Sequence, residues 1–273
     1  MKALVAAVAF GLTGTAAMAG CGEDPAPCTL PGGEYHIALP DNPKGAPVVM
    51  FLHGAGSNGA NALKNTAMVE AFRNRGYAVL APSAVPRRAG ADGGFWNFFP
   101  GWDGRDEPQF LRETVRAAST QFATSDTRVL MTGFSAGAFM VSYLACAEPA
   151  SFPAYAPLAG TFWQPHPSAC AGPVKLFQTH GWRDSTVPLE GRPLRNGDFL
   201  QGDVFASLET WRRANACPRM SPDSYQETGV FWRRAWSACA EGSALELALH
   251  PGGHIIPQGW PDMILDWFEE QVP

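Results

Sequence analysis

Short, almost wholly apolar runs recur along this chain, and stretches of helical character lie between them; that alternation restricts the fold more than any other feature. The runs cover 48–52, 77–81, 129–132, 155–158, 174–178 and 245–249, each bounded by Gly, Pro or polar residues. Such runs fit strands buried on both faces, which read as continuous rather than alternating apolar sequence. The segment 34–39 does alternate and is the expected first strand, followed by a turn cluster from Pro40 to Gly45. Helices are expected over 61–75, 109–122, 136–146, 204–215 and 261–270. The predicted class is therefore α/β, with a mostly parallel central sheet covered by helices on both faces. With 273 residues, 46% of them hydrophobic, a single domain can bury a sizeable core.

The N-terminus is set apart from that pattern. Lys2, an apolar run over 3–12 and the small residues Ala17-Met18-Ala19 have the layout of a cleavable secretory signal. Residues 1–19 are thus expected to be a signal and 20–273 the folded domain, secreted or periplasmic; the apolar run is too short to span a bilayer. Cys21 follows directly, so lipid attachment there is an alternative to soluble export, although Met18 matches a lipoprotein signal poorly. Six cysteines in an exported chain suggest disulfides, since an oxidising compartment lets them persist. Pairing between sequence neighbours would join Cys21 to Cys28, Cys146 to Cys170 and Cys217 to Cys239, though spacing alone does not fix connectivity. No C-x-x-C pair occurs, so neither a metal nor a cofactor is expected. The formal charge is −5 and no stretch concentrates Lys and Arg, which argues against nucleic acid as a partner.

The chemistry is concentrated at Gly133-Phe134-Ser135-Ala136-Gly137, a G-x-S-x-G pattern directly after an apolar run and directly before a helical stretch. A serine on a sharp strand-to-helix turn needs small neighbours, because a side chain at either glycine would collide with adjacent backbone. Serine is a weak nucleophile near neutral pH, so a base must take its proton and a third group must hold that base in the right tautomer. In such a fold these partners follow the serine on loops after later strands. Asp184, in His180-Gly181-Trp182-Arg183-Asp184, and His254, in Pro251-Gly252-Gly253-His254, are the candidates. Asp198 and Asp203 lie farther along their loop and suit surface or capping roles. His250 sits at a strand end and is expected to be structural; His180 comes too early, and His36 and His166 lack a motif. Phe51-Leu52-His53-Gly54-Ala55-Gly56 runs from a strand into a Gly-rich loop, so the backbone N–H groups of Ala55 and Ala136 are the expected oxyanion donors. A phosphate loop is the alternative for 53–59, but no Gly-Lys-Ser/Thr follows.

Two segments exceed simple connections. Residues 82–108 are rich in Gly, Arg and aromatics, and 185–203 are polar and Gly-rich. Both are expected to build the site, against the simpler reading that their aromatics cover a core edge. Trp96, Trp102 and Trp182 are the candidate substrate-binding side chains.

With these residues assembled, the chain resembles the secreted polyhydroxybutyrate depolymerase and feruloyl esterase group of the α/β-hydrolases over most of 20–273. The resemblance rests on Leu52-His53-Gly54, on Gly133 to Ala138, on His180-Gly181 leading through Asp184 to Val187-Pro188, and on Gly252-Gly253-His254 followed by Pro257. It implies an α/β-hydrolase fold, Ser135, Asp184 and His254 as a catalytic triad, and Cys217 with Cys239 as a cysteine pair of that group. The group's usual Gly-Gly-Gly-His-x-Trp-Pro appears here as Pro251 to Pro257, lacking one Gly and the Trp, a change on the substrate side of the site. Polymer-degrading members often carry a linker and a granule-binding domain, whereas this sequence ends with a last catalytic-domain helix. Soluble oligomers or small esters, of short-acyl, hydroxyalkanoate, feruloyl or acetyl type, are the expected substrates. A peptidase of the same fold and a noncatalytic ligand-binding protein on the same scaffold are the rival expectations.

Overall fold

A computed structural model describes residues 20–88 and 90–273, so the expected signal over 1–19 lies outside the described residues. The chain opens with β1 (Cys28–Leu30), β2 (Gly33–Ala38) and β3 (Val48–Leu52), followed by α1 (Gly59–Leu63), α2 (Thr66–Asn74) and β4 (Ala78–Pro82). After a long loop come α3 (Glu107–Phe122), β5 (Val129–Phe134), α4 (Ala136–Ala147), β6 (Ala154–Leu158) and β7 (Lys175–Gly181). A small hairpin, β8 (Pro193–Leu194) and β9 (Phe199–Leu200), precedes α5 (Val204–Ala214). The chain closes with β10 (Ser224–Thr228), β11 (Phe231–Trp236), β12 (Ala244–His250) and α6 (Trp260–Gln271).

One ten-stranded sheet runs in the order β1-β2-β4-β3-β5-β6-β7-β12-β11-β10. Its centre, from β4 to β12, is parallel throughout, while β1, β2, β11 and β10 add antiparallel edges. β3, β4 and β6 are buried at every position because both faces are covered. Val48, Met50 and Leu52 pack with α3, α4 and α5, whereas Val49 and Phe51 pack with α1, α2 and α6. Strand order reverses at β3, which has β4 on one side and β5 on the other. In sheets of this kind the crevice beyond the carboxyl ends at such a reversal is where ligands bind.

The expected helix over 61–75 is two helices. Asn65 breaks it: its side chain accepts from the Met68 N–H and starts α2 as a new N-cap. The β10–β11 hairpin and the β8–β9 pair were not anticipated by pattern, because their residues are largely exposed and carry no apolar alternation. Disulfides join Cys21 to Cys28, Cys146 to Cys170 and Cys217 to Cys239, the neighbour pairing expected from the sequence. No helix among the described residues is long and apolar enough to cross a membrane.

Candidate active site

Ser135 stands between β5 and α4 with φ 57° and ψ −116°, a conformation that L residues rarely adopt. Such a position costs about 1–3 kcal/mol and persists only where its surroundings impose it. Here they do. The Ser135 N–H donates to Leu158 O at 3.0 Å, and its carbonyl accepts from the Phe139 N–H at 3.1 Å. A Cβ on Gly137 would lie 2.0 Å from Leu52 O, and one on Gly133 would lie 2.6 Å from the Gly137 carbonyl carbon. Both glycines are therefore required by close backbone approach, as the pattern suggests. The Ser135 side chain does not cap α4, which leaves its hydroxyl available.

Asp184 follows the carboxyl end of β7 and is buried. Its Oδ1 accepts the N–H groups of Thr186 at 2.9 Å and Val187 at 2.8 Å, and its Oδ2 accepts from His254 Nδ1 at 2.7 Å. Burial by itself would raise the carboxyl pKa, but the hydrogen bonds from His254 and Val187 and the nearby imidazoles outweigh it and hold the group below the usual range. An ionised Asp184 can only accept, so the His254 proton sits on Nδ1 and Nε2 carries the lone pair. The His254 ring packs on Phe134, the residue before Ser135, with centroids 4.6 Å apart. Asp184 provides the hydrogen bond of the His254 ring among the described residues, and the contact from Nε2 to the Ser135 hydroxyl is not closed. Bonds of that type are often long until substrate tightens them.

The Asp184 and His254 loops are bound to each other. The Trp182 N–H donates to His250 O at 2.7 Å, and the Arg183 N–H donates to Gly252 O at 3.0 Å. A Cβ on Gly181 would fall 2.3 Å from Gly253 O, so only glycine lets the two loops meet. His180 and His250 lie beneath them, buried. His180 Nε2 donates to Val187 O at 2.7 Å, and His250 Nδ1 accepts from the Gly252 N–H at 3.2 Å. Burial, with the neighbouring His180, lowers the His250 pKa to about 4, which keeps it neutral. His180 thus supports the loop that carries Asp184, a role its position in the sequence did not reveal.

The loop after β3 is fastened just as closely. His53 is buried; its Nδ1 donates to Gly54 O at 2.8 Å while Nε2 accepts from the Ala84 N–H at 3.0 Å. Burial drives its pKa down to about 4, and the Arg105 charge adds to the shift against the bond to Gly54. The Gly56 N–H donates to Gly94 O at 2.8 Å, and the Gly94 N–H returns to Ser57 O at 2.8 Å. With Gly56 and Ser135 so engaged, the N–H groups of Ala55 and Ala136 have no backbone acceptor among the described residues. Both residues line the same cleft as Ser135.

That cleft has a volume of about 280 Å³. Trp102, Phe139 and Trp163 form one wall, and Thr186, Leu194 and Phe199 come from the β8–β9 side. Both long loops therefore contribute to it. Of the three tryptophans singled out in the sequence, only Trp102 lines it. Trp96 is fully buried: its indole N–H donates to His53 O at 2.8 Å and its ring lies 5.0 Å from that imidazole, making it a strut for the Ala55 loop. Trp182 is 57% exposed and does not line the cleft. Trp163 and Phe199, whose centroids are 5.3 Å apart, take the places those two were expected to fill. Their surrounding sequence carried no signal; only the packing of distant loops brings them in.

A nucleophile-type turn at the carboxyl end of β5, with the acid and imidazole loops after β7 and β12, defines an α/β-hydrolase. The comparisons agree with the fold. A family described as phospholipase/carboxylesterase matches residues 34–196, and the chain belongs to that family of carboxylic ester hydrolases. Among curated proteins, it is 24% identical over 230 residues to "Probable feruloyl esterase C" of Aspergillus terreus, covering 78% of this chain and 80% of that one. Among solved structures, it is similar to an acetyl xylan esterase from Aspergillus awamori, with TM-score 0.63 and 15% identity over 86% of this chain and 93% of the other. A Bacillus cereus carboxylesterase superposes with TM-score 0.57 and 14% identity, over 88% of this chain and 94% of its own. These structural likenesses show the fold.

Proposed function

We propose that the protein is an exported serine esterase that hydrolyses short-acyl, hydroxyalkanoate, feruloyl or acetyl esters through an acyl-enzyme on Ser135. The observation that carries this reading is the pairing of a strained Ser135 at φ 57° with a His254–Asp184 hydrogen bond of 2.7 Å whose imidazole packs on the adjacent residue. His254 Nε2 takes the hydroxyl proton as Ser135 Oγ attacks the ester carbonyl. Charge on the carbonyl oxygen is met by the N–H groups of Ala55 and Ala136, both fixed before the reaction begins. His254 then passes the proton to the departing alcohol, and in the second half it activates the water that releases the acid. Asp184, ionised throughout, stabilises the imidazolium formed in each half.

The cleft supports small or slender acyl groups, since about 280 Å³ with aromatic walls has little room for a folded polymer chain. Three disulfides and the resemblance to secreted esterases support export. In the purified protein, Ser135→Ala is expected to abolish turnover of nitrophenyl butyrate, and a fluorophosphonate probe is expected to label Ser135. Near wild-type rates in the variant, or labelling at another residue with Ser135 untouched, would end the proposal.

A further inference from the structure

A second cavity of about 470 Å³ adjoins the Ser135 cleft. Arg87, Phe95, Trp102, Arg195 and Phe199 line both, so these five residues form the boundary across which one extended ligand would lie. The two arginines are its notable part. In a chain of net charge −5, the Ser135 cleft is lined by two guanidiniums and by no carboxylate. Neither has a salt bridge or a side-chain hydrogen bond among the described residues; the arginines elsewhere that form ion pairs include Arg73, Arg75, Arg105 and Arg112. Their placement is nonetheless defined. The Arg87 guanidinium lies 4.0 Å over the Phe95 ring and 5.3 Å from that of Trp102, and Arg195 lies 5.7 Å from the Phe199 ring.

Stacking engages the face of a guanidinium and leaves its edge N–H donors for a planar anion. The two groups are close enough to repel: partial burial first, then the charge of Arg195, lowers the Arg87 pKa. Like charges held together without an acid between them are relieved by an anion. Arg195 also stands at φ 48°, beside Asn196 at φ 59°, a strained pair of residues at the tip of the β8–β9 hairpin that brings the guanidinium to the boundary. The other charges of the second cavity do not cancel this. Arg105 and Glu107 neutralise each other through a 2.6 Å ion pair, which leaves the exposed Asp103 against two cations.

We propose that Arg87 and Arg195 recognise a carboxylate, so that the preferred substrates are esters carrying a free carboxylate several bonds from the scissile carbonyl. The inference rests on the esterase reading of Ser135 and names the substrate class of that same site. The carboxylate can belong to the acyl half, as in a dicarboxylic acid half-ester, or to the alcohol half, as in a hydroxy-acid dimer.

Two matched pairs separate these sources: monoethyl adipate against ethyl hexanoate, and the 3-hydroxybutyrate dimer acid against its terminal primary amide. In at least one pair kcat/KM is expected to favour the carboxylate by about tenfold or more, as charge-assisted bidentate bonds do. The preference should fall toward unity in Arg87→Gln/Arg195→Gln and reverse in Arg195→Glu. Each ratio is measured within one protein, so a loss of folded material does not alter it. Ratios near unity in the wild type for both pairs, or ratios unmoved by the substitutions, overturn the proposal. Calorimetric titration of the Ser135→Ala protein with the same four compounds reads the pair without turnover. Tighter binding of the carboxylates supports it even if Ser135 is not the nucleophile, and equal binding of both members of each pair refutes it while leaving the esterase reading standing.

Discussion

Replacing Asp184 by asparagine tests the site at its most constrained atom. The carboxylate makes three hydrogen bonds: Oδ1 accepts from the Thr186 and Val187 N–H groups, and Oδ2 accepts from His254 Nδ1. In Asp184→Asn the amide has one oxygen and one NH₂. Two backbone donors at 2.9 and 2.8 Å fix the oxygen on their side, because the opposite flip would set an NH₂ against two N–H groups. The NH₂ must then face His254 and donate to Nδ1. That forces the imidazole proton onto Nε2, where the base needs a lone pair. The backbone bonds survive, so the fold should hold, whereas the tautomer is wrong. A change of this kind costs about 10⁴ in kcat, equivalent to ~5 kcal/mol of barrier. The assay is kcat for nitrophenyl butyrate at pH 7, with thermal unfolding of the same preparation as the structural control. A loss of less than about tenfold in a normally folded variant would refute the tautomer argument.

Four further outcomes follow from the same packing. Gly137→Ala sets a Cβ 2.0 Å from Leu52 O and should destabilise the fold by about 3 kcal/mol or more while cutting activity, read by urea unfolding and ester turnover; wild-type stability would contradict the close approach. The folded-state pKa of His53 is about 4 against 6.5 in a free imidazole, so the unfolded chain binds the extra proton as pH falls between those values, and stability should drop over that window by up to about 3 kcal/mol. It is fully present above pH 6.5, and His53→Gln should flatten that part of a melting-temperature profile; an unchanged slope would contradict a neutral buried ring. Trp96→Phe, which removes the bond to His53 O, should lower stability by about 1–2 kcal/mol. Trp102→Ala should raise KM for aromatic esters and, because the ring also packs on Phe98, Phe99, Trp163 and Phe199, lower the melting temperature; an unchanged KM would overturn its placement in the cleft.

The sheet was legible because burial on both faces leaves its trace in single strands. The run at 48–52 coincides with β3, and those at 129–132 and 155–158 lie within β5 and β6. Edge strands leave no such trace: β10 is almost entirely exposed, so its residues answer to pairing with β11 rather than to a core. At the site, the glycines around Ser135 are dictated by local backbone contact, and local contact can be read locally. The positions of Asp184 and His254 just beyond β7 and β12 follow from strand order. The walls are another matter. Whether an aromatic in 82–108 turns inward or props a loop depends on what it meets across the sheet, and Trp96 and Trp102, six positions apart, went opposite ways. Arg87 and Arg195 were likewise invisible, since each acquires its meaning only from the other.

The β8–β9 hairpin forms its own two-stranded sheet and shares no ladder with the ten-stranded one. Bonds at its base, such as the Gln164 N–H to Leu200 O at 2.7 Å and the Gly202 N–H to Phe162 O at 2.8 Å, and the packing of Phe199 on Phe99, Trp102 and Trp163 moor it to the rest of the chain. A graft of different length or sequence between Arg192 and Gln201 would therefore disturb no strand of the main sheet, and the brim of the cleft can be retailored while the floor beneath it is left as it stands.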